Sequence, residues 1–250
     1  LLLSAANIAS VPTFLQEAAV EALSAAMKDA AAAAAMLTES VGKLTPALEA
    51  MGPQAEQVQQ VLAEAHALEV PVVIIGNGSN LLVKDGGIRG LVLRLCRDMQ
   101  NIEVNGDRIR AEAGAMMSAL SMAAAENDLG GLTFASGIPG TVGGGAYMNA
   151  GAYGGEMSQV VTLVEGFTMA GEPFRYGRPD MHFAHRSTRL MQEDKIVTHV
   201  TMQLPQGKRD DLLAEMVDFN TRRADKQPLT NFSAGSTFKR PPQGYAAQMI

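Results

Sequence analysis

Pro71-Val72-Val73-Ile74-Ile75-Gly76-Asn77-Gly78-Ser79-Asn80-Leu81 is an apolar run that ends in a loop of glycine, asparagine and serine. The β-branched residues read as a strand, and the loop as a turn at its end. Glycine has no Cβ, so N–H groups in such a loop can approach an anion that a larger side chain would hold away. Gly76, Asn77, Gly78, Ser79, Asn80 and Leu81 therefore read as one half of a cradle for a nucleotide cofactor's pyrophosphate. The Rossmann pattern G-x-G-x-x-G fits poorly, because Leu81 takes the place of the third glycine. A Walker A loop fails too, since no Gly-Lys-Ser/Thr follows. An ordinary tight turn would read the same for this pentapeptide alone.

A second stretch, Ser136-Gly137-Ile138-Pro139-Gly140-Thr141-Val142-Gly143-Gly144-Gly145, supplies the other half. Its glycines leave φ free and Pro139 fixes it, so successive N–H groups can line one side of the chain. Met148-Asn149-Ala150-Gly151-Ala152-Tyr153-Gly154-Gly155 follows and extends a surface of small residues. A glycine-rich connection between strands is the structural alternative.

Length and charge narrow the class of partner. The 250 residues, 47% of them hydrophobic, can bury a substantial core. A net charge of −6, with no Lys/Arg block, disfavours nucleic acid and anionic membrane and favours a small-molecule ligand. Cys96 is the only cysteine; it reads as a buried small hydrophobe in a reducing compartment. The four scattered histidines lack metal-like spacing, so no metal site is expected. No apolar run approaches the ~20 residues of a membrane-spanning helix, and the cytoplasm is the expected location. The chain begins without Met and ends on what reads as the start of a helix, so we expect it to be incomplete.

Thr13 to Ala35 and Pro46 to Leu68 read as helices rich in Ala, Glu, Gln, Leu and Met. Strands are expected over Val72–Gly76, Leu91–Leu95, Val160–Thr168 and Ile196–Leu204. A hairpin is expected over Ile102–Ala113 with Asn105-Gly106 at its centre. Helices are expected over Ala115–Asp128 and Lys208–Asp225, and Pro205-Gln206-Gly207 reads as a boundary.

Four stretches occurring in order carry a family resemblance: Gly-Asn-Gly-Ser-Asn-Leu-Leu-Val, Ala-Ser-Gly-Ile-Pro-Gly-Thr-Val-Gly-Gly, Met-Asn-Ala-Gly-Ala-Tyr-Gly-Gly-Glu and Ser-Ala-Gly-Ser-Thr-Phe-Lys-Arg-Pro. In these motifs, spread over roughly Gln57 to Ile250, the chain resembles the UDP-N-acetylenolpyruvoylglucosamine reductases (UDP-N-acetylmuramate dehydrogenases) of the shorter subtype. The resemblance implies an α+β fold of the p-cresol methylhydroxylase type, with FAD gripped by two lobes and NADPH as reductant. It implies an Ala-rich, divergent region over residues 1–56, an FAD-binding region over 57–204 and the start of a substrate lobe over 205–250. Gly76 to Leu81 and Gly137, Ile138, Pro139, Gly140, Thr141, Gly143 and Gly144 would hold the FAD pyrophosphate and ribityl chain, with Asn149, Ala150 and Gly151 nearby. Ser236 would donate a proton to the substrate and Arg186 would stabilise developing charge. Tyr153, Lys239 and Arg240 are candidates for contact with the UDP-sugar.

The chain departs from the family pattern in three places. His185 stands where a tyrosine is usual. The family's Thr-Phe-x-Ile-Gly-Gly-type segment is replaced by Thr13-Phe14-Leu15-Gln16-Glu17-Ala18. The glutamate that partners Arg186 and Ser236 in the family would lie beyond Ile250. A non-catalytic flavin-binding protein, or another flavin oxidoreductase of the same fold, would share the glycine motifs.

Overall fold

The computed structural model describes residues 55–97, 99–227 and 244. Helix α1, Ala55–Ala67, buries Val58, Val61, Leu62 and Ala65, the i, i+3, i+4, i+7 stripe of an amphipathic helix. It packs on a parallel pair, β1 (Val72–Ile75) and β2 (Leu91–Arg94), in register Val72 to Leu91 through Ile75 to Arg94. Leu91, Leu93 and Leu95 join that small core, and Ile196 links it to the neighbouring sheet. Cys96 lies just past β2 and is only half-buried, not the buried core residue expected.

The main sheet has five antiparallel strands in the order β3-β4-β9-β7-β8. These are β3 (Ile102–Asn105), β4 (Arg108–Glu112), β7 (Val161–Thr168), β8 (Pro173–Gly177) and β9 (Lys195–Gln203). The β3–β4 hairpin forms where expected, with its turn one residue further on. Asn105 pairs with Arg108, which leaves Gly106 and Asp107 at the centre. Gly106 has φ 60°, in the first central place that a type II′ turn gives to glycine.

Helices α2 (Met117–Glu126) and α3 (Val142–Tyr147) contribute the apolar layer that meets this sheet, with Met117, Leu120, Val142 and Ala146 against Ile109, Ala111, Val161, Val164, Val200 and Met202. A small hairpin follows α3, formed by β5 (Gly151–Ala152) and β6 (Gly155–Glu156). Helix α4, Arg209–Lys226, packs Leu212 and Met216 beside Ala125 of α2. The segment before α4 is tied to the turn after α2, with Gly130 N–H on Pro205 O at 2.8 Å and Gly207 N–H on Asp128 O at 2.7 Å. The helix expected over Pro46–Leu68 is described from Ala55 onward, and the one over Thr13–Ala35 lies outside the described residues. No described helix is long and apolar enough to cross a membrane.

Candidate functional site

The two glycine loops meet. The first leaves the C-terminal end of β1 and the second leads into the N-terminus of α3, so each has one end fixed by regular structure. Asn77 Nδ2 donates to Pro139 O at 2.8 Å and joins the loops directly. Gly76 is pressed against Thr141, where an added Cβ would lie under 3.0 Å from Oγ1 and 3.2 Å from Cγ2. Gly140 faces Ser79, whose Oγ would be 3.5 Å from a Cβ placed there. Gly78 has φ 71° and open space where a side chain would go.

The second loop has its carbonyls tied to three separate elements. Gly137 O accepts from Arg223 Nη1 on α4. Pro139 O accepts from Asn77, and Gly140 O from Met117 N–H at 3.0 Å. In a trans peptide the C=O and the following N–H point opposite ways. Pinning the Pro139 and Gly140 carbonyls therefore turns the Gly140 and Thr141 amides away from those anchors. Among the described residues, these two amides and those of Gly76 to Asn80 meet no hydrogen-bond acceptor. Asn80 Oδ1 and Ser136 Oγ are likewise buried without a partner.

Not every glycine has that disposition. Gly143 N–H is already used, donating to Ala113 O at 2.9 Å, and a Cβ on Gly143 would lie 2.7 Å from the Ala113 methyl. Gly145 packs in the same way on Met117 Sδ, again at 2.7 Å. These two glycines let α3 settle on β4 and α2. Gly144, on the outer side, is exposed, and its N–H is capped by Thr141 Oγ1 at 3.4 Å.

Beyond α3 the chain builds a second cluster around Asn149, Ala150, Gly151 and Arg186. Asn149 is 1% exposed with φ 44°, a left-handed conformation that asparagine tolerates. Its Nδ2 donates to Ala184 O at 3.0 Å and its Oδ1 accepts from Ser158 N–H at 2.9 Å. Ala150 N–H donates to Gly145 O at 2.8 Å and closes the end of α3. Arg186 sits in a tight turn between Ala184 and Ser187, also at positive φ (55°). Its Nη2 donates to Gly151 O at 2.8 Å and its Nη1 to Asn149 O at 3.4 Å. Burial lowers the pKa of its guanidinium, which the nearby Glu156 charge partly opposes. The remaining N–H groups of this cation meet no partner among the described residues. The neighbouring His182 and His185 are exposed.

Tyr153, at the tip of the β5–β6 hairpin with φ 53°, reaches α4. Its hydroxyl donates to Phe219 O at 3.0 Å, and its ring stacks on Phe219 at 4.4 Å with a 4° tilt, leaving the residue 44% exposed. Ser236, Lys239 and Arg240 lie outside the described residues. Arg223 escaped the sequence reading, although Leu212, Met216 and Arg223 are the buried residues of α4. Their spacing of four and seven marks one helical stripe, and a lone arginine on it was the available signal. No cluster of three or more metal-ligating side chains occurs among the described residues.

A polar group also stands at the β8 edge. Glu193 takes hydrogen bonds from Tyr176 at 2.8 Å and Arg189 at 2.6 Å, and pairs with Lys195 at 2.7 Å. Lys195, then Tyr176 and Arg189, hold its carboxyl at a pKa of about 2. Lys195 and Arg189 lie over the Tyr176 ring at 4.3 and 4.4 Å. This group braces the 189–195 segment against the sheet edge.

Comparison with known proteins agrees with this geometry. A family model described as an FAD binding domain matches residues 46–177. The UDP-N-acetylenolpyruvoylglucosamine reductase of Clostridioides difficile (strain 630) is 44% identical over 195 residues, 78% of this chain and 64% of that protein. The enzyme of the same name from Lactobacillus acidophilus is 42% identical across 78% of this chain and 65% of its own length. The chain thus spans somewhat less than two thirds of these curated relatives. Among solved structures, UDP-N-acetylenolpyruvylglucosamine reductase from Thermus caldophilus superposes with a TM-score of 0.68 at 33% identity, covering 80% of this chain and 70% of that one. The expected α+β FAD-binding fold is the one found, and the chain belongs to the UDP-N-acetylenolpyruvoylglucosamine reductase family and carries its FAD-binding domain.

Proposed function

We propose that this protein takes part in peptidoglycan precursor synthesis in the cytoplasm, as an FAD-dependent, NADPH-driven reductase that converts UDP-N-acetylenolpyruvoylglucosamine to UDP-N-acetylmuramate. The observation that carries the reading is the meeting of the two glycine loops through Asn77 and Pro139, with amides of both loops left without acceptors among the described residues. Those residues fit a dinucleotide's diphosphate. Neutral N–H donors at Gly76 to Asn80, Gly140 and Thr141 can bind it without a lysine, in keeping with an acidic chain. Asn80 Oδ1 and Ser136 Oγ, without a partner among the described residues, add buried polar atoms beside the same loops.

When bound, FAD would supply the two-electron chemistry that couples oxidation of NADPH to reduction of the enolpyruvyl double bond. The protein's part is to position the substrate and handle charge. Arg186, held by the Asn149 and Gly151 carbonyls, offers its remaining donors to the negative charge that develops on the enolpyruvyl group. In this reading Ser236 donates a proton to the neighbouring carbon, and Lys239, Arg240 and Tyr153 contact the UDP-sugar. A serine hydroxyl is a weak acid, so it acts only against a strongly basic, well-stabilised intermediate.

Anaerobic titration tests the reading. The protein should bind FAD, lose visible flavin absorbance on adding NADPH and regain it on adding the enolpyruvyl substrate. Ser236→Ala should keep the first two responses and lose the third. Normal product formation by that variant rejects the proton-donor role, and a protein that stays colourless in excess FAD rejects the whole reading.

A further inference from the structure

Arg223 is out of character for its helix. α4 is largely exposed and polar, yet Arg223 is 9% exposed and lies on the buried stripe with Leu212 and Met216. A buried arginine is costly unless its donors are satisfied. Its Nη1 donates to Gly137 O and its Nε to Gln227 Oε1 at 3.0 Å. The peptide that Arg223 grips is also held at its other pole, where Ile138 N–H donates to Ala135 O at 3.0 Å. The plane of the Gly137–Ile138 peptide is thereby fixed from both sides, two residues ahead of the Gly140 and Thr141 amides.

Gly137 owes its identity to this contact. An added Cβ would lie 2.7 Å from Asn220 Oδ1, 2.9 Å from Arg223 Nη1 and 3.3 Å from Arg223 Cδ. The same face of α4 carries Phe219, which stacks on Tyr153. One helix therefore clasps both the second glycine loop and the β5–β6 hairpin.

We infer that Arg223 is a positioning residue for the FAD cradle, acting through the Gly137 carbonyl to set the direction of the loop amides that follow. The inference rests on the FAD reading above and adds a residue, more than eighty positions from the loop, on which cofactor affinity depends. The aliphatic part of the side chain seals α4 against the loop, while the guanidinium sets the peptide plane.

Two substitutions separate these roles. Arg223→Met keeps the packing and removes the donor. Gly137→Ala displaces the guanidinium at small folding cost, because the atoms its methyl meets are the ends of flexible side chains. Three quantities are measured: FAD affinity by fluorescence titration, hydrogen exchange of the Ile138 and Met117 amides, which donate to Ala135 O and Gly140 O, in the cofactor-free protein, and Tm of that protein. A hydrogen bond to a charged donor leads us to expect FAD binding at least ~10-fold weaker in each variant. Exchange at Ile138 and Met117 should rise, with Tm lowered by no more than about 5 °C. Should Arg223→Met fail to fold, Gly137→Ala decides by the same criteria. Affinity within twofold of the parent, or weakened binding with exchange at Ile138 and Met117 unchanged, overturns the inference. Failure of the parent to bind FAD instead refutes the underlying reading, so the two failures are distinct.

Discussion

Gly76→Ala tests the closeness of the two loops most directly. The new methyl carbon would lie under 3.0 Å from Thr141 Oγ1 and 3.2 Å from its Cγ2, whereas apolar atoms rest at about 3.5–4.0 Å. Thr141 is 2% exposed and its Oγ1 caps α3, so the hydroxyl has little room to turn aside. Overpacking of this kind costs about 1–3 kcal/mol. The free protein can relieve it by letting the loops part, but they must close again to present amides from both sides to one diphosphate. Most of the cost therefore falls on cofactor binding, and the dissociation constant for FAD should rise ~5- to 150-fold. Thr141→Ala removes both atoms the methyl strikes and loses a long N-cap hydrogen bond, a change of about 1 kcal/mol. The double variant should bind FAD no worse than Thr141→Ala alone, a coupling of about 1–3 kcal/mol in a double-mutant cycle. Isothermal titration of the four proteins measures this. Simple additivity, or a Gly76→Ala protein that binds FAD like the parent, would refute the reasoning.

Asn149→Ala should lower stability by about 3 kcal/mol, because it orphans Ala184 O and Ser158 N–H and puts alanine at φ 44°. Thermal unfolding should show a fall of roughly 10 °C, and a loss under about 1 kcal/mol would contradict the assignment. Glu193→Gln should reduce Tm at neutral pH through loss of the contacts with Lys195, Tyr176 and Arg189. The folded carboxyl has its pKa lowered from 4.5 to about 2, so its contribution is present above 4.5 and vanishes as pH falls toward 2. The Tm difference between parent and variant should shrink over that interval; a pH-independent difference would show that the charge is not its source.

Strands and helices with clear period were legible in the chain. β1, β7 and β9 are rich in β-branched residues and β2 opens with an apolar Leu-Val-Leu, while α2 and α4 are bounded by glycine or proline as helices usually are. α3 leaves no helical signal in the chain, because Val142-Gly143-Gly144-Gly145-Ala146-Tyr147 has poor helix propensity. Its stability comes from contacts remote in sequence, Gly143 on Ala113 and Gly145 on Met117. β8 gives no clear strand signal, because Pro173 and Gly177 bracket it like a turn, although proline is acceptable at the first residue of an edge strand. The site was legible in part for the same reason. Glycine loops announce themselves by composition, whereas the Asn77–Pro139 bond and the reach of Arg223 to Gly137 depend on separations of 62 and 86 residues.

The Tyr153–Phe219 pair has a practical use. The chain has no tryptophan and four tyrosines, so few aromatic groups compete for its ultraviolet signal. A phenol locked face to face with a second ring, 4° from parallel, sits in a fixed chiral setting. Near-ultraviolet circular dichroism of the cofactor-free protein, compared with Phe219→Leu, should thus isolate an optical signature for the seam between hairpin and helix. Its fading would report that seam coming undone while the sheet beneath remains intact.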